Sequence, residues 1–378
     1  MTRWADDTVL DDPAALERAD PGGMLRATAD SGAQIRRAVA ATDPAALAAV
    51  AADGRPRSVV VTGMGGSGIS GDVLAAVCGT GCPVAISTVR GYVLPGWVGP
   101  LDLVIAVSCS GRTEETLTVA AEAAKRGARL VGVGAVGSPL EKLVRDTPGA
   151  TFLAVDAGAL MPRASLWLLA TPLLLLADAL GLADVPLSAL AAAADLLDER
   201  STEYGPIVPM ADNPAKLLGV SLGASAPMVW GTSPVGAVAA YRLACQLNEN
   251  AKLAVTWGAL PEANHNQVVA LDGATAPADD DIFHDPVEDG VAPARLRLLL
   301  LRDRGEHPQD ERRADVSRDI AESRDVPVDV VHAVEGHAVV RLASLIVLAD
   351  WVSVYAAISL GVDPTPLAAI NELKSRIT

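Results

Sequence analysis

Short runs of β-branched and aliphatic residues alternate with longer Ala- and Leu-rich segments, and that alternation leaves few architectures open to the chain. Ser58–Thr62, Pro83–Ser87, Leu103–Ser108 and Arg129–Gly132 have the nearly continuous apolar character of strands buried on both faces. Between them, Gly68–Val77 and Glu114–Arg126 read as helices, the crossovers that parallel strands require. The pattern predicts a doubly wound α/β domain with a parallel sheet. A helical stretch follows at Arg163–Leu180 and Leu187–Glu199. A second α/β unit is expected from Met228–Gly231 through Leu253–Trp257, Val268–Leu271, Leu296–Leu301 and Val328–Val331 to a helix at Ala338–Leu360. The expected division is 1–155 for a first domain with an N-terminal helical extension, 156–204 for a helical connector and 205–378 for a second domain.

Two domains also suit a length of 378 residues. Half the residues are hydrophobic and 20% charged, which excludes a disordered chain. Aromatics at 3% offer little to stack on nucleobases, and a net charge of -16 repels a polyanion, so no nucleic-acid partner is expected. Backbone N–H groups can still hold a small anion locally. Four cysteines include the turn Cys78-Gly79-Thr80-Gly81-Cys82, but no second pair or nearby His completes a zinc set, and no metal is expected. The apolar runs Ala164–Ala177 and Ser344–Ala349 fall short of the ~20 residues of a membrane span. With an opening of Met-Thr-Arg-Trp-Ala-Asp-Asp that lacks a signal region, the expectation is a cytoplasmic protein without a membrane partner. The Asp-, Pro- and Gly-rich segment Asp272–Gly290 reads as an exposed loop.

The first motif is Thr62-Gly63-Met64-Gly65-Gly66-Ser67-Gly68, placed after a strand and before a helix. It contains the spacing of a dinucleotide fingerprint, yet the acid that would hold a ribose hydroxyl is missing after the second strand. Arg90 leaves a 2′-phosphate, and hence NADP, as an alternative; a purely structural glycine turn is another. The second motif, Ser108-Cys109-Ser110-Gly111-Arg112-Thr113, follows another strand and again opens a helix. Thr113 suits an ordinary helix cap, but hydroxyls beside a helix N-terminus also suit a phosphate dianion. Two such loops on neighbouring strands favour a monophosphate ligand.

This pairing of Gly-Met-Gly-Gly-Ser with Ser-x-Ser-Gly-x-Thr resembles the sugar isomerase (SIS) domain. The resemblance implies two SIS-type αβα sandwich domains, with Gly65, Gly66, Ser67, Ser108, Ser110 and Thr113 holding a sugar phosphate. Further on stand Asn248-Glu249-Asn250-Ala251-Lys252, then Glu262-Ala263-Asn264-His265-Asn266-Gln267. Taken singly, a Glu at a helix end is usually solvated and a lone His usually structural. Together with Met161-Pro162-Arg163 and Gly361-Val362-Asp363-Pro364-Thr365-Pro366, followed by Lys374, they resemble the bifunctional phosphoglucose/phosphomannose isomerase family.

The resemblance implies an aldose–ketose isomerase that exchanges fructose 6-phosphate with glucose 6-phosphate, mannose 6-phosphate or both through a cis-enediol(ate). Such chemistry needs one carboxylate over C1 and C2, a ring-opening group and cations near the developing oxyanion. By the family pattern Glu249 is the base, and His265, donated across a homodimer, opens the ring. Arg163 stabilises the enediolate and Lys374 assists at the ring oxygen or hydroxyls; no cofactor or metal is implied. The sequence departs from that pattern at Cys109 and Arg112, where Tyr and Asn are usual, and at Gln267, where Glu is usual. Gln267 supports an alternative, a sugar-phosphate-binding protein with weak or absent turnover.

Overall fold

The computed structural model describes residues 5–273, 275 and 294–377; most of the Asp272–Gly290 segment lies outside the described residues. Helices α1 (Pro13–Ala19), α2 (Met24–Ala29), α3 (Ser31–Ala41) and α4 (Pro44–Ala52) precede the first strand. Asp12 and Asp43 start α1 and α4, each accepting a backbone N–H at 2.9 Å while a proline occupies the first helical position. There follow β1 (Ser58–Thr62), α5 (Gly65–Cys78), β2 (Ala85–Val89), β3 (Leu103–Ser108), α6 (Glu114–Lys125), β4 (Arg129–Gly134), α7 (Pro139–Arg145) and β5 (Thr151–Ala154). Helices α8 (Leu166–Ala179), α9 (Leu187–Glu203) and α10 (Pro214–Gly223) lead into the second sheet. Its elements are β6 (Ala226–Gly231), α11 (Pro234–Gln246), β7 (Thr256–Ala259), α12 (Ala263–Asn266), β8 (Leu296–Arg302), α13 (Pro308–Glu322) and β9 (Val328–His332). Helices α14 (Ala338–Ser359) and α15 (Ala368–Ile377) close the chain.

The chain forms two compact units. One comprises Asp30–Asp198 and Gly336–Val340; the other comprises the described residues up to Ala29, those from Glu199 to Glu335, and those from Arg341 onward. In the first, all strands are parallel in the order β2-β1-β3-β4-β5. Strands β1 and β3 are buried along their whole length, as their uninterrupted apolar runs require. Val60, Val104, Ala106, Val119 and Leu140 join one core cluster on this sheet. In the second, the parallel order is β7-β6-β8-β9, with Met228, Trp230, Leu298 and Leu300 in its core.

The sequence expectation grouped the N-terminal helices with the first sheet, whereas residues up to Ala29 cluster with the second. The side chain of Lys216, fully buried, explains the attachment: its Nζ donates to the carbonyls of Leu10 (2.6 Å), Val208 (2.7 Å) and Pro206 (3.0 Å). Val268–Leu271, expected as a strand, is instead part of a 3-10 helix, Gln267–Asp272. Leu271 is buried but Val269 is 65% exposed, so the run never fills both faces of a sheet. Strand β7 begins later than expected because Lys252 turns left-handed and Leu253 N–H closes back on Leu247 O at 3.2 Å. Helix α14 has the length and apolar character of a membrane span, and its most apolar stretch is wholly buried within the protein. The two charges it carries, Arg341 and Asp350, are paired with Asp303 and Arg242.

Candidate active site

In an open parallel sheet a ligand crevice forms beyond the carboxyl ends of the strands, where the connections leave in opposite directions. The order β2-β1-β3 puts that point between β1 and β3, and both sequence motifs lie there. The glycine loop is shaped by close approaches. A Cβ on Gly63 would stand 2.9 Å from Val107 O, and one on Gly66 would stand 2.7 Å from Pro162 O. Gly66 therefore brings the α5 N-terminus directly against the 3-10 turn Pro162–Ala164, which carries Arg163. Helix α5 has no side-chain cap, which suits an anion-binding end.

A serine hydroxyl of the glycine loop joins it to the serine loop, which is braced within itself by a second pair of hydroxyls. Cys109 N–H donates to Ser67 Oγ at 3.2 Å, and Ser108 Oγ lies 2.9 Å from Thr113 Oγ1. Thr113 thus occupies the cap position of α6 without capping it; its hydroxyl is turned to Ser108. Gly111 (φ 62) makes the turn possible, and Ser110 Oγ, on an exposed residue, accepts from Arg112 N–H at 3.2 Å. Arg163 is 3% exposed. Its turn is held by Gln34 of α3, whose Nε2 donates to Ala164 O at 2.7 Å, a constraint with no signal in the sequence. Beside the serine loop a cavity of about 560 Å³ is lined by Cys109, Ser110, Val136, Asp156, Leu160 and Pro162 among others. Burial pushes the Cys109 thiol up, so this wall carries no thiolate at neutral pH.

Arg90, the residue open to a 2′-phosphate, is committed elsewhere: its guanidinium pairs with Asp72 and reaches Gly68 O at 3.3 Å. The matching switch point of the second sheet is filled internally. Ser233 Oγ donates to Asp303 at 3.0 Å, Thr232 Oγ1 accepts from Asp303 N–H at 3.2 Å, and Arg341 pairs with the same carboxylate at 2.8 Å. A carboxylate braces this loop from within, and among the described residues the paired glycine and hydroxyl loops are found at the switch point of the first sheet.

The other candidates lie in the second unit. Glu249 is partly buried in a π-helical turn, Leu247–Ala251, that ends α11. Such turns are wide and uncommon, and recur at functional positions. The turn is fastened by Asn250 Nδ2 donating to Ser353 Oγ at 2.9 Å, and by Arg242 and Gln246 on Asp350 at 2.8 Å and 3.1 Å. His265 is exposed on α12, and among the described residues none hydrogen-bonds its ring. Gln267 does not address that histidine. Its Oε1 accepts from Trp230 Nε1 at 2.6 Å and its Nε2 donates to Trp257 O at 2.9 Å. Lys374 is on α15, a helix with no buried residue. Among the described residues no three His, Cys, Asp or Glu side chains gather as a metal site.

Two parallel α/β sheets, the first with a glycine loop and a hydroxyl loop at its switch point, define a protein of the SIS phosphosugar class. Residues 211–377 match the bacterial phospho-glucose isomerase C-terminal SIS domain. A bifunctional phosphoglucose/phosphomannose isomerase of Caldicellulosiruptor bescii is 32% identical over 319 residues, which cover 84% of this chain and 89% of that protein. One from Aquifex aeolicus is 30% identical over 329 residues, covering 85% and 90%. Among solved structures, a glucose-6-phosphate isomerase like protein from Thermus thermophilus aligns with a TM-score of 0.58 and 19% identity, over 98% of this chain and 100% of that one. The C-terminal domain of glucosamine-fructose-6-phosphate aminotransferase from Francisella tularensis aligns with a TM-score of 0.63 and 12% identity, over 90% and 97%. At those identities the solved structures show a shared fold. The chain belongs to the bifunctional phosphoglucose/phosphomannose isomerase family and is a sugar-phosphate isomerase.

Proposed function

We propose that the protein interconverts fructose 6-phosphate with glucose 6-phosphate, mannose 6-phosphate or both through a cis-enediol(ate). The observation that carries this reading is the switch point of the first sheet, where Ser67 ties the glycine loop to Cys109 of the serine loop, Ser108 and Thr113 brace that loop, and Gly66 draws Arg163 against the helix end. There the ligand phosphate is held by Ser67, Ser108, Ser110, Thr113 and the backbone at Gly65 and Gly66. Arg163, buried and permanently charged, offsets the negative charge that develops on the enediolate oxygen. Glu249 is the base: its carboxylate takes the proton from C1 of the ketose and the same proton, or one from solvent, returns at C2. His265 opens the ring, donated by the partner subunit of a homodimer, and Lys374 assists at the ring oxygen or hydroxyls. Phosphorylated hexoses are charged and do not leave the cell unaided, so the cytoplasm is the proposed setting.

The weak-binder reading rested on Gln267. Because that amide is spent on Trp230 and Trp257, its presence says little about ring opening. Proton NMR of fructose 6-phosphate in D₂O, with the unmodified protein and Glu249→Gln, tests the assignment. The expected result is glucose 6-phosphate or mannose 6-phosphate carrying deuterium at C2, formed by the unmodified protein only. Exchange at an unchanged rate in Glu249→Gln removes Glu249 as the base. No product from a protein that binds the ligand returns the weak-binder reading.

A further inference from the structure

The turn that holds Glu249 ends at Lys252, whose backbone is left-handed (φ 56, ψ 31). Glycine adopts this conformation without steric cost, and a lysine there calls for a compensating interaction. The side chain supplies one. Lys252 Nζ donates to Glu249 O at 2.9 Å and Asn250 O at 3.1 Å, within its own turn. It also donates to Asp363 O at 3.0 Å and lies 3.4 Å from Pro364 O, on the segment between α14 and α15. An ammonium has three protons to place on these carbonyls.

Two consequences follow from this geometry. The last carbonyls of a helix have no partner within it, and a cation there satisfies them while complementing the negative end of the helix. Lys252 does this at the carbonyl of Glu249 itself. The same ammonium ties that turn to Asp363-Pro364, a segment stiffened by Thr365 N–H donating to Asp363 Oδ1 at 2.8 Å. On the other flank, Asn250 fastens the turn to Ser353, whose hydroxyl donates to Asp350 O at 2.7 Å. The main chain of Glu249 is therefore held from two sides, by α14 and by the segment that leads to α15.

We propose that Lys252 is a positioning residue for the isomerase, fixing the turn from which Glu249 acts and locking that turn to the segment preceding Lys374. The proposal rests on Glu249 being the base. Its role is separable from substrate binding, since the phosphate loops belong to the other unit.

The test compares Lys252→Met, which keeps the stem and removes the donors, with Lys252→Gly, which removes the donors but relieves the left-handed backbone. Lys252→Asn, tolerant of that backbone, replaces the Met variant if the latter fails to fold. All are to match the unmodified protein in circular dichroism. The expected result is a kcat lower by about tenfold or more in every variant, because a base displaced by ~1 Å can lose on the order of a hundredfold. KM for fructose 6-phosphate and the Kd of sorbitol 6-phosphate, a ligand with no carbonyl to react, are to stay within about twofold. A kcat retained by Lys252→Gly overturns the proposal, since the backbone alone would then explain the residue. Equal losses in kcat and in sorbitol 6-phosphate binding overturn it as well, because they indicate general disorder. Unchanged exchange in Glu249→Gln would instead overturn the base assignment.

Discussion

Gln267 shows how one amide can decide between two roles. It accepts from Trp230 and donates to the carbonyl of Trp257, so it joins β6 and β7 to the turn after α12. A carboxylate can accept from the indole but cannot donate unless protonated, and it would face a carbonyl oxygen at hydrogen-bond distance. Gln267→Glu is therefore expected to destabilise the protein by about 0.5–1.5 kcal/mol, the net worth of one hydrogen bond at a partly exposed site. The new carboxyl would have its folded pKa raised by that carbonyl. The stability it retains is then present below the unfolded value of about 4.3 and lost as pH rises through the folded one. Thermal denaturation should show a larger deficit against the unmodified protein at pH 8 than at pH 5. An equal deficit at both would show that the site tolerates the charge.

At the scale of elements, the contact between α5 and the Pro162–Ala164 turn depends on the absence of a side chain. A methyl group on Gly66 would meet Pro162 O at 2.7 Å, Pro162 C at 3.2 Å and Arg163 Cα at 3.3 Å, all backbone atoms that cannot swing aside. Gly66→Ala is expected to cost about 1–3 kcal/mol as overpacking and to move Arg163 away from the helix end. Calorimetric titration with sorbitol 6-phosphate should show weaker binding than for the unmodified protein, alongside a lower Tm. Affinity unchanged in a destabilised variant would separate Arg163 from ligand binding. The second sheet shows the contrast. Its equivalent loop is occupied by Asp303, Ser233 and Arg341, where one carboxylate serves as an internal brace.

For the molecule as a whole, a net charge of -16 makes the acid limb of stability informative. Asp102 is buried at the start of β3, where it accepts from Arg57 Nε at 2.9 Å, Ser58 Oγ at 2.8 Å and Gly99 N–H at 2.9 Å. Arg57 first, and then these other donors, hold its carboxyl below the usual carboxylate range. A depressed folded pKa gives stability that is complete above the unfolded value of about 3.9 and is lost as pH falls through the folded one. Asp102→Asn should lower Tm at pH 7, with the gap to the unmodified protein narrowing as pH falls below about 4. A constant gap would mean that shape, not charge, is what Asp102 supplies.

Sequence alone determined what is periodic or contiguous. The nearly continuous apolar runs of β1, β3 and β6 required burial on both faces, which a parallel sheet between helices provides. The glycine and serine loops were legible because their residues are neighbours in the chain and lie at strand ends. Tertiary structure decided what depends on distant partners. Gln34 reaches Ala164 across 130 residues, Asp303 reaches Ser233 across 70, and Lys252 reaches Asp363 across 111. Val268–Leu271 misled for the same reason, since apolar character alone does not say whether both faces of a run find partners. Hydrophobic period is a local property and is written in neighbouring residues. A hydrogen bond between side chain and remote carbonyl exists only once folding has brought the two ends together.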